Sequence, residues 1–188
     1  MAVATALAVV LGLFKLKLPH LLYGGSISLH ALPIFVIAIR HGVRRGILIG
    51  VAYSAVNFAL GPFFLHPLQV MLDYPLAFGA LGMAGLSRSV WPLTSSTDNV
   101  VSGRILSSSR LGLAGSIILA SAVRFGMHFS SGMLYFAHLA PEGTSVWQFS
   151  VVYNASYIVP ETLICLVAIQ IPQLQPLLAR QARSSSAS

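Results

Sequence analysis

Apolar runs of helix length recur along the whole chain, separated by short breaks. Crossing a bilayer takes about 20 apolar residues in a helix, and six runs approach or reach that length. They cover about residues 1–14, 27–40, 44–63, 68–87, 111–136 and 148–171. Charged residues make up only 8% of the chain, whereas a soluble domain carries about 25%. The sequence therefore predicts an all-α integral membrane protein, a bundle of six transmembrane helices.

The basic residues are unevenly distributed over the ends of these runs, which predicts the orientation. With the N-terminus inside, the cytoplasmic ends and loops hold most of the arginines, and the outer loops hold only Lys15 and Lys17. The inner set is Arg40, Arg44, Arg45, Arg88, Arg104, Arg110, Arg180 and Arg183. Because positive residues accumulate on the cytoplasmic side, we expect a multi-pass protein of the plasma membrane with both termini inside.

Two polar stretches interrupt or follow the apolar runs. Residues 87–110 are Ser-rich and predict a mobile cytoplasmic loop, and residues 173–188 predict a disordered cytoplasmic tail. The predicted domain organisation is therefore one transmembrane substrate-binding domain over residues 1–172, followed by that tail.

Several ionisable residues fall inside the predicted spans: His30, Asp73, Arg124, His128 and Glu161. Intramembrane charges usually face a bundle interior or a wet cavity and mark functional sites. Arg124 and His128 are four residues apart, so they share one helix face.

Asp73 precedes Tyr74 and Pro75 in an apolar run. Because proline removes a backbone hydrogen bond, Pro75 is expected to open the helix locally. We therefore expect Asp73 to face a ligand. Arg124 has two possible carboxylate partners, Asp73 and Glu161. For Glu161, which follows Pro160, structural pairing and ligand contact both remain open.

Small residues form two stripes at helical spacing. Gly42, Gly46, Gly50 and Ser54 follow one another in the third run, and we interpret this stripe as packing between helices of the same chain. Ala4 and Ala8 form a similar face on the first run. That face either packs within the bundle or docks a partner protein.

Several catalytic and metal-binding motifs are absent from the sequence. It has no G-x-x-x-x-G-K-[ST] and therefore no P-loop for ATP hydrolysis. It has no H-E-x-x-H and no Cys/His set with zinc spacing, so no metal or cofactor is expected. Ser131 near His128 offers a weak hint of an intramembrane serine hydrolase, without the G-x-S-x-G context. A binding or transport role fits these residues better than catalysis.

Specific strings occur in order along the chain. G-G-S-I-S-L-H-A-L-P-I-F (24–35), I-R-H-G-V-R-R-G (39–46) and H-P-L-Q-V-M-L-D-Y-P-L-A-F (66–78) are followed by H-F-S-S-G (128–132), A-P-E-G-T-S (140–145) and Y-N-A-S-Y-I-V-P-E (153–161). Together they resemble the thiamine-specific S-components of energy-coupling factor (ECF) transporters, the ThiT/YuaJ family. The resemblance covers about residues 4–172.

This resemblance implies a six-helix membrane subunit with an outward-facing pocket that captures thiamine from outside the cell. It also implies partners: a transmembrane coupling protein and two cytosolic ATPase subunits that drive import. Ala4 and Ala8 look like the face that the family uses on its first helix to dock the coupling protein. The alternative within the same fold is another small heterocycle, such as hydroxymethylpyrimidine.

The resemblance also carries over a ligand site, residue by residue. Asp73 stands where the family has an acidic residue, and Tyr74 matches the adjacent tyrosine. The other implied or proposed ligand residues are His128, Gly132, Phe136, Phe149, Tyr153 and Asn154. The loop from Gly24 to Ser28 departs from members that carry a Trp and a Glu there.

Thiamine joins a cationic thiazolium to a flat aminopyrimidine, and these residue types suit both parts. A carboxylate in a low-dielectric pocket favours the cation, and aromatic faces favour the flat rings. Asp73 would therefore balance the thiazolium charge. Asn154 and His128 could hydrogen-bond the pyrimidine edge.

Overall fold

The computed structural model of the chain describes residues 1–21, 24–61, 63–87 and 103–171, with side chains of the last segment described from residue 111. Six helices follow one another in these residues. They are α1 (Ala2–Leu13), α2 (Ala31–His41), α3 (Val43–Leu60), the composite α4 (67–86), α5 (Gly103–Tyr135) and α6 (Val146–Ile169). A short 3₁₀ turn, Ala137–Leu139, follows α5. The six predicted helices are confirmed.

Three of the helices are long and apolar enough to cross a membrane. They are α3, the Leu111–Tyr135 part of α5, and α6, while α1 and α2 are apolar but shorter. The main core lies where α2, α3, α4 and α5 meet, with Phe35, Ile49, Leu81 and Ile117 all fully buried. The outer surfaces of α1, α3, α4, α5 and α6 expose large apolar side chains, as a lipid-facing surface does.

Two helix boundaries differ from the prediction. α2 begins at Ala31 rather than near residue 27, because Ile27 instead pairs with Leu16 in an isolated antiparallel bridge. α5 begins at Gly103 rather than near residue 111. The serines and arginines that made this stretch look like a loop are compatible with helix, and no proline interrupts them. The rest of the predicted loop, residues 88–102, and the predicted tail, residues 173–188, lie outside the described residues.

α4 changes its helical geometry along its length. It runs as α-helix over Pro67–Met71, as a π-helical turn over Leu72–Leu76, again as α-helix over Ala77–Ala80 and as 3₁₀-helix over Leu81–Leu86. Pro75 lies in the π turn, where its missing N–H and its ring prevent a regular α-helical turn. The predicted opening of the helix next to Asp73 is therefore confirmed.

The glycine stripe of α3 packs against α4. A side chain on Gly50 would collide with the backbone carbonyl of Phe78, and one on Gly82 would collide with the backbone of Ile47. The two helix backbones can approach this closely only because these positions lack side chains. The interpretation of the stripe as packing within the chain is confirmed.

The small face of α1 turns toward the bundle. Ala8 is completely buried in the core and Ala4 is partly buried against it. The neighbouring face exposes Val3 and Leu7. The core of the same chain covers Ala8, so in this conformation Ala8 lacks the free surface that a docking role requires. The docking role of Ala4 and Ala8 stays a prediction.

Candidate functional site

A cavity of about 230 Å³ opens among the connection from α1 to α2 and helices α3 to α6. It is just below the range of about 300–1,000 Å³ usual for small-molecule sites, so it suits a small ligand. All eight residues predicted to bind a ligand line it: Asp73, Tyr74, His128, Gly132, Phe136, Phe149, Tyr153 and Asn154. The structure thus brings the whole predicted set together. Their contact with a ligand stays a prediction.

Asp73 is held by three donors of the chain. Its Oδ2 accepts hydrogen bonds from Gln69 Nε2 at 2.7 Å and Ser131 Oγ at 2.9 Å, and its Oδ1 lies 3.1 Å from His128 Nδ1. These contacts offset part of the free-energy cost of burying the carboxylate. A carboxylate has about four acceptor positions, so one remains for a ligand.

His128 completes this network from α5. A carboxylate only accepts hydrogen bonds, so Nδ1 of His128 carries the proton that faces Asp73. Its Nε2 is buried and has no hydrogen-bond partner among the described residues. The imidazole makes T-shaped, edge-to-face contacts with the rings of Phe78 and Tyr157, with centroids at 6.4 and 6.0 Å. These contacts fix the ring in the cavity wall.

Arg124 pairs with Glu161 and not with Asp73. Its Nη1 donates to Glu161 Oε2 at 3.1 Å, and both side chains are buried. The other carboxylate oxygen of Glu161 lies 3.2 Å from Nδ1 of His30, which is also 2.6 Å from Ser28 Oγ. Of the two partners that the sequence left open for Arg124, the structure selects Glu161. The guanidinium also lies over the ring of Phe78, 5.1 Å from its centroid.

Aromatic rings form the opposite wall of the cavity. Phe136 stacks on Phe63 with centroids 5.6 Å apart, and Phe149 packs at a tilt against Tyr153, also at 5.6 Å. The hydroxyl of Tyr74 accepts a hydrogen bond from the backbone N–H of Phe63 at 3.1 Å. Tyr74 therefore holds the segment before α4 in place, in addition to lining the cavity.

The loop that departs from the family pattern is fastened to α6. The hydroxyl of Tyr153 donates to the carbonyl of Gly24 at 2.7 Å. Gly25 has a positive φ of 74° and lies against the ring of Tyr157, so a side chain there would be strained and would collide. The small residues of this loop let it approach the tyrosines closely.

Two predicted ligand residues also make contacts within the chain. The amide of Asn154 donates to the carbonyl of Ser150 and accepts from the hydroxyl of Tyr157, both at 2.8 Å. The space beside Gly132 is filled by Ser150 Oγ of α6. Gly132 therefore serves the close contact of α5 and α6, while its backbone lines the cavity.

Sequence reasoning missed several residues of the site. Gln69 and Tyr157 were not considered, and Ser131 was weighed only as a nucleophile. Helical spacing is the signal that could have identified Gln69 and Ser131. Gln69 lies four residues before Asp73, and Ser131 lies three residues after His128. Lys15 and Lys17, assigned to an outer loop, also line the cavity, and both are exposed.

The arrangement does not support the serine hydrolase alternative. Ser131 is completely buried, and its hydroxyl donates to Asp73 rather than to His128. A serine nucleophile needs a base at its hydroxyl and access to a substrate. Nor do His, Cys, Asp and Glu form a metal-binding group anywhere in the described part of the chain.

Comparison with known proteins agrees with this geometry. The family model "Thiamine transporter protein (Thia_YuaJ)" matches residues 1–179. The chain belongs to this family. It is 34% identical over 169 residues to thiamine transporter ThiT of Bacillus subtilis strain 168, covering 89% of this chain and 85% of that one. It is 28% identical over 171 residues to thiamine transporter ThiT of Lacticaseibacillus paracasei, covering 88% and 82%.

A solved structure supports the same assignment. ThiT from Listeria monocytogenes superposes with a TM-score of 0.77 at 26% identity, covering 94% of this chain and 93% of that one. The all-helical fold is therefore the one found in this thiamine transporter family. As a member, the chain is a membrane transport protein and not an enzyme.

Proposed function

We propose that the chain captures thiamine from outside the cell as the substrate-binding S-component of an ECF transporter. The observation that carries this proposal is the cavity in which the eight predicted residues meet, where the described residues leave one acceptor position of Asp73 without a donor. The relatives named thiamine transporter support the choice of ligand.

The charges and rings of the cavity match the two halves of thiamine. Asp73 faces the cavity without an Arg or Lys partner among the described residues, and it supplies the negative charge for the thiazolium. Phe136, Phe149 and Tyr153 supply aromatic faces for flat rings. The free electron pair of the carboxylate and the π surfaces recognise a flat cation better than a neutral or anionic molecule.

The binding test uses purified protein in detergent, without ATP. Calorimetry should show one thiamine bound per chain, with heat that disappears when thiamine is already present. Hydroxymethylpyrimidine, added as a competitor, should displace thiamine poorly, because it lacks the cationic ring. If it displaces thiamine at equal concentration, the pyrimidine alone is the ligand and the thiamine assignment is wrong.

The proposed partners are a transmembrane coupling protein and two cytosolic ATPase subunits. The sequence has no P-loop, so energy for import must come from another subunit. The distribution of arginines supports a plasma-membrane protein with both termini in the cytoplasm. In proteoliposomes, thiamine uptake should require ATP and all the subunits. Uptake by the chain alone would contradict this part of the proposal.

We expect the first helix to contribute to docking the coupling protein. Ala4 is the member of the predicted pair that retains some exposure, whereas Ala8 is covered by the core. Ala4→Trp should weaken co-purification with the coupling protein and leave thiamine binding intact. Equal co-purification of the variant and the original chain would show that Ala4 is not part of the docking surface.

A further inference from the structure

Arg124 brings a positive charge to the wall of a cavity that is proposed to take a cation. Its side chain lines the cavity and is only 5% exposed. A guanidinium stays charged under all ordinary conditions. In a poorly solvated wall, a lone cation at this position would oppose a second cation in the cavity.

Glu161 is placed to cancel this charge. It is 1% exposed, it is not among the cavity-lining side chains, and it accepts a hydrogen bond from Arg124 Nη1 at 3.1 Å. The charges of Arg124 and Glu161 cancel in this ion pair, and Asp73 adds a negative charge at the cavity. Lys15 and Lys17 add positive charge at the exposed mouth, where water screens it.

We propose that Glu161 determines the preference of the cavity for a monocation, acting through Arg124 and without touching the ligand. Its carboxylate holds the guanidinium beside Phe78 and cancels its charge, so that the charge of Asp73 stays available to the ligand. This inference rests on the proposed thiamine site. It assigns a ligand-related role to a residue whose contacts within the chain look purely structural.

The experiment compares two ligands of the same shape. Thiamine carries the charged thiazolium, and its thiophene isostere replaces the ring nitrogen by carbon and is neutral. The measured quantity is the ratio of the two dissociation constants in purified protein. A structural defect weakens both ligands alike and leaves the ratio unchanged, whereas a change in the electrostatics of the cavity changes the ratio.

Glu161→Gln keeps the size of the side chain and removes its charge. We expect the preference for thiamine over the isostere to fall by about ten-fold, as one uncompensated charge near a partly desolvated site implies. In the double variant Arg124→Gln with Glu161→Gln, the wild-type ratio should return. Cys165→Ala is the matched control, because Cys165 is buried one turn further along α6 and does not line the cavity.

Each outcome decides the matter. A wild-type ratio in Glu161→Gln, or a double variant that fails to restore the ratio, overturns the inference. If Glu161→Gln does not fold, the variant Arg124→Gln is measured instead. Arg124→Gln should shift the ratio of dissociation constants in the opposite direction, toward thiamine. An unchanged ratio in Arg124→Gln also overturns the inference. Failure of the wild-type protein to bind thiamine at all would refute the proposed function instead.

Discussion

Two acids of this chain, the half-buried Asp73 and the buried Glu161, lie near prolines within helices, yet they have different surroundings. Asp73 precedes Pro75 in α4, faces the cavity and is held by Gln69, Ser131 and His128. Glu161 follows Pro160 in α6 and is paired with Arg124 away from the cavity surface. The comparison shows that an acid within a span can face a cavity or pair with a cation of the same chain. What distinguishes the two is whether a fixed cation of the protein already neutralises the carboxylate.

The contacts of these two acids also connect different helices. Arg124 and Glu161 join α5 to α6, so their bond contributes to helix packing. The donors to Asp73 come from α4 itself and from α5, and they orient the carboxylate without cancelling its charge. We therefore expect mutations at Arg124 and Glu161 to act on stability and on the preference for a cation, and mutations at Asp73 and its donors to act mainly on the affinity for the ligand.

The largest expected effect is on stability, from Arg124→Ala. Removing the guanidinium leaves Glu161 as a buried carboxylate without its ion-pair partner, which costs about 3–5 kcal/mol of unfolding free energy. Thermal unfolding in detergent should show a large decrease in the transition temperature. Lys15→Ala, at the exposed mouth of the cavity, is the control and should unfold as the original chain does. Similar unfolding of both variants would show that the ion pair contributes little.

The opposite pattern is expected for Asp73→Asn. This variant keeps the size of the side chain but removes the negative charge that faces the cavity. Losing one member of a desolvated charge pair costs about 2–5 kcal/mol of binding free energy. Thiamine affinity measured by calorimetry should decrease more than ten-fold, while the unfolding temperature changes less than in Arg124→Ala. Unchanged affinity would show that Asp73 does not contact the ligand.

The sequence was sufficient to predict most of the framework of this site. Apolar runs and their breaks predicted six helices, and Pro75 predicted the irregular turn at Asp73. The motif strings predicted the eight residues that meet at the cavity. These features could be predicted because each depends on local chemistry or on strings shared with a family.

The partner of Arg124 could not be predicted, because it depends on how α5 and α6 pack against α4. Either carboxylate satisfied the sequence pattern, and only the three-dimensional structure selects Glu161. The burial of Ala8 has the same origin, since a small-residue face suits a partner protein and a neighbouring helix equally well. The start of α5 was missed because serines and arginines also occur in helices.

A smaller effect is expected from Ser131→Ala, which removes one of the two donors to Oδ2 of Asp73. A hydrogen bond to a charged group contributes about 1.5–3 kcal/mol, but Gln69 still holds the same oxygen, so we expect the lower end. Thiamine affinity should decrease roughly ten-fold. Ser130→Ala is the matched control, because the neighbouring Ser130 is exposed and bonds the carbonyl of Gly126. Equal affinities in both variants would show that Ser131 does not position Asp73.

The smallest effect is expected from Tyr153→Phe, which keeps the ring beside the cavity and removes the hydroxyl that donates to Gly24. A neutral hydrogen bond contributes about 0.5–1.5 kcal/mol, and here it fastens the Gly24–Ser28 loop to α6. Loosening that loop should mainly speed thiamine dissociation, by about three- to ten-fold in a stopped-flow chase, with little change in association. Tyr135→Phe is the control, because Tyr135 stacks on His66 and does not line the cavity. A dissociation rate that stays unchanged in Tyr153→Phe would show that the bond from Tyr153 to the Gly24–Ser28 loop does not govern how long the ligand stays bound.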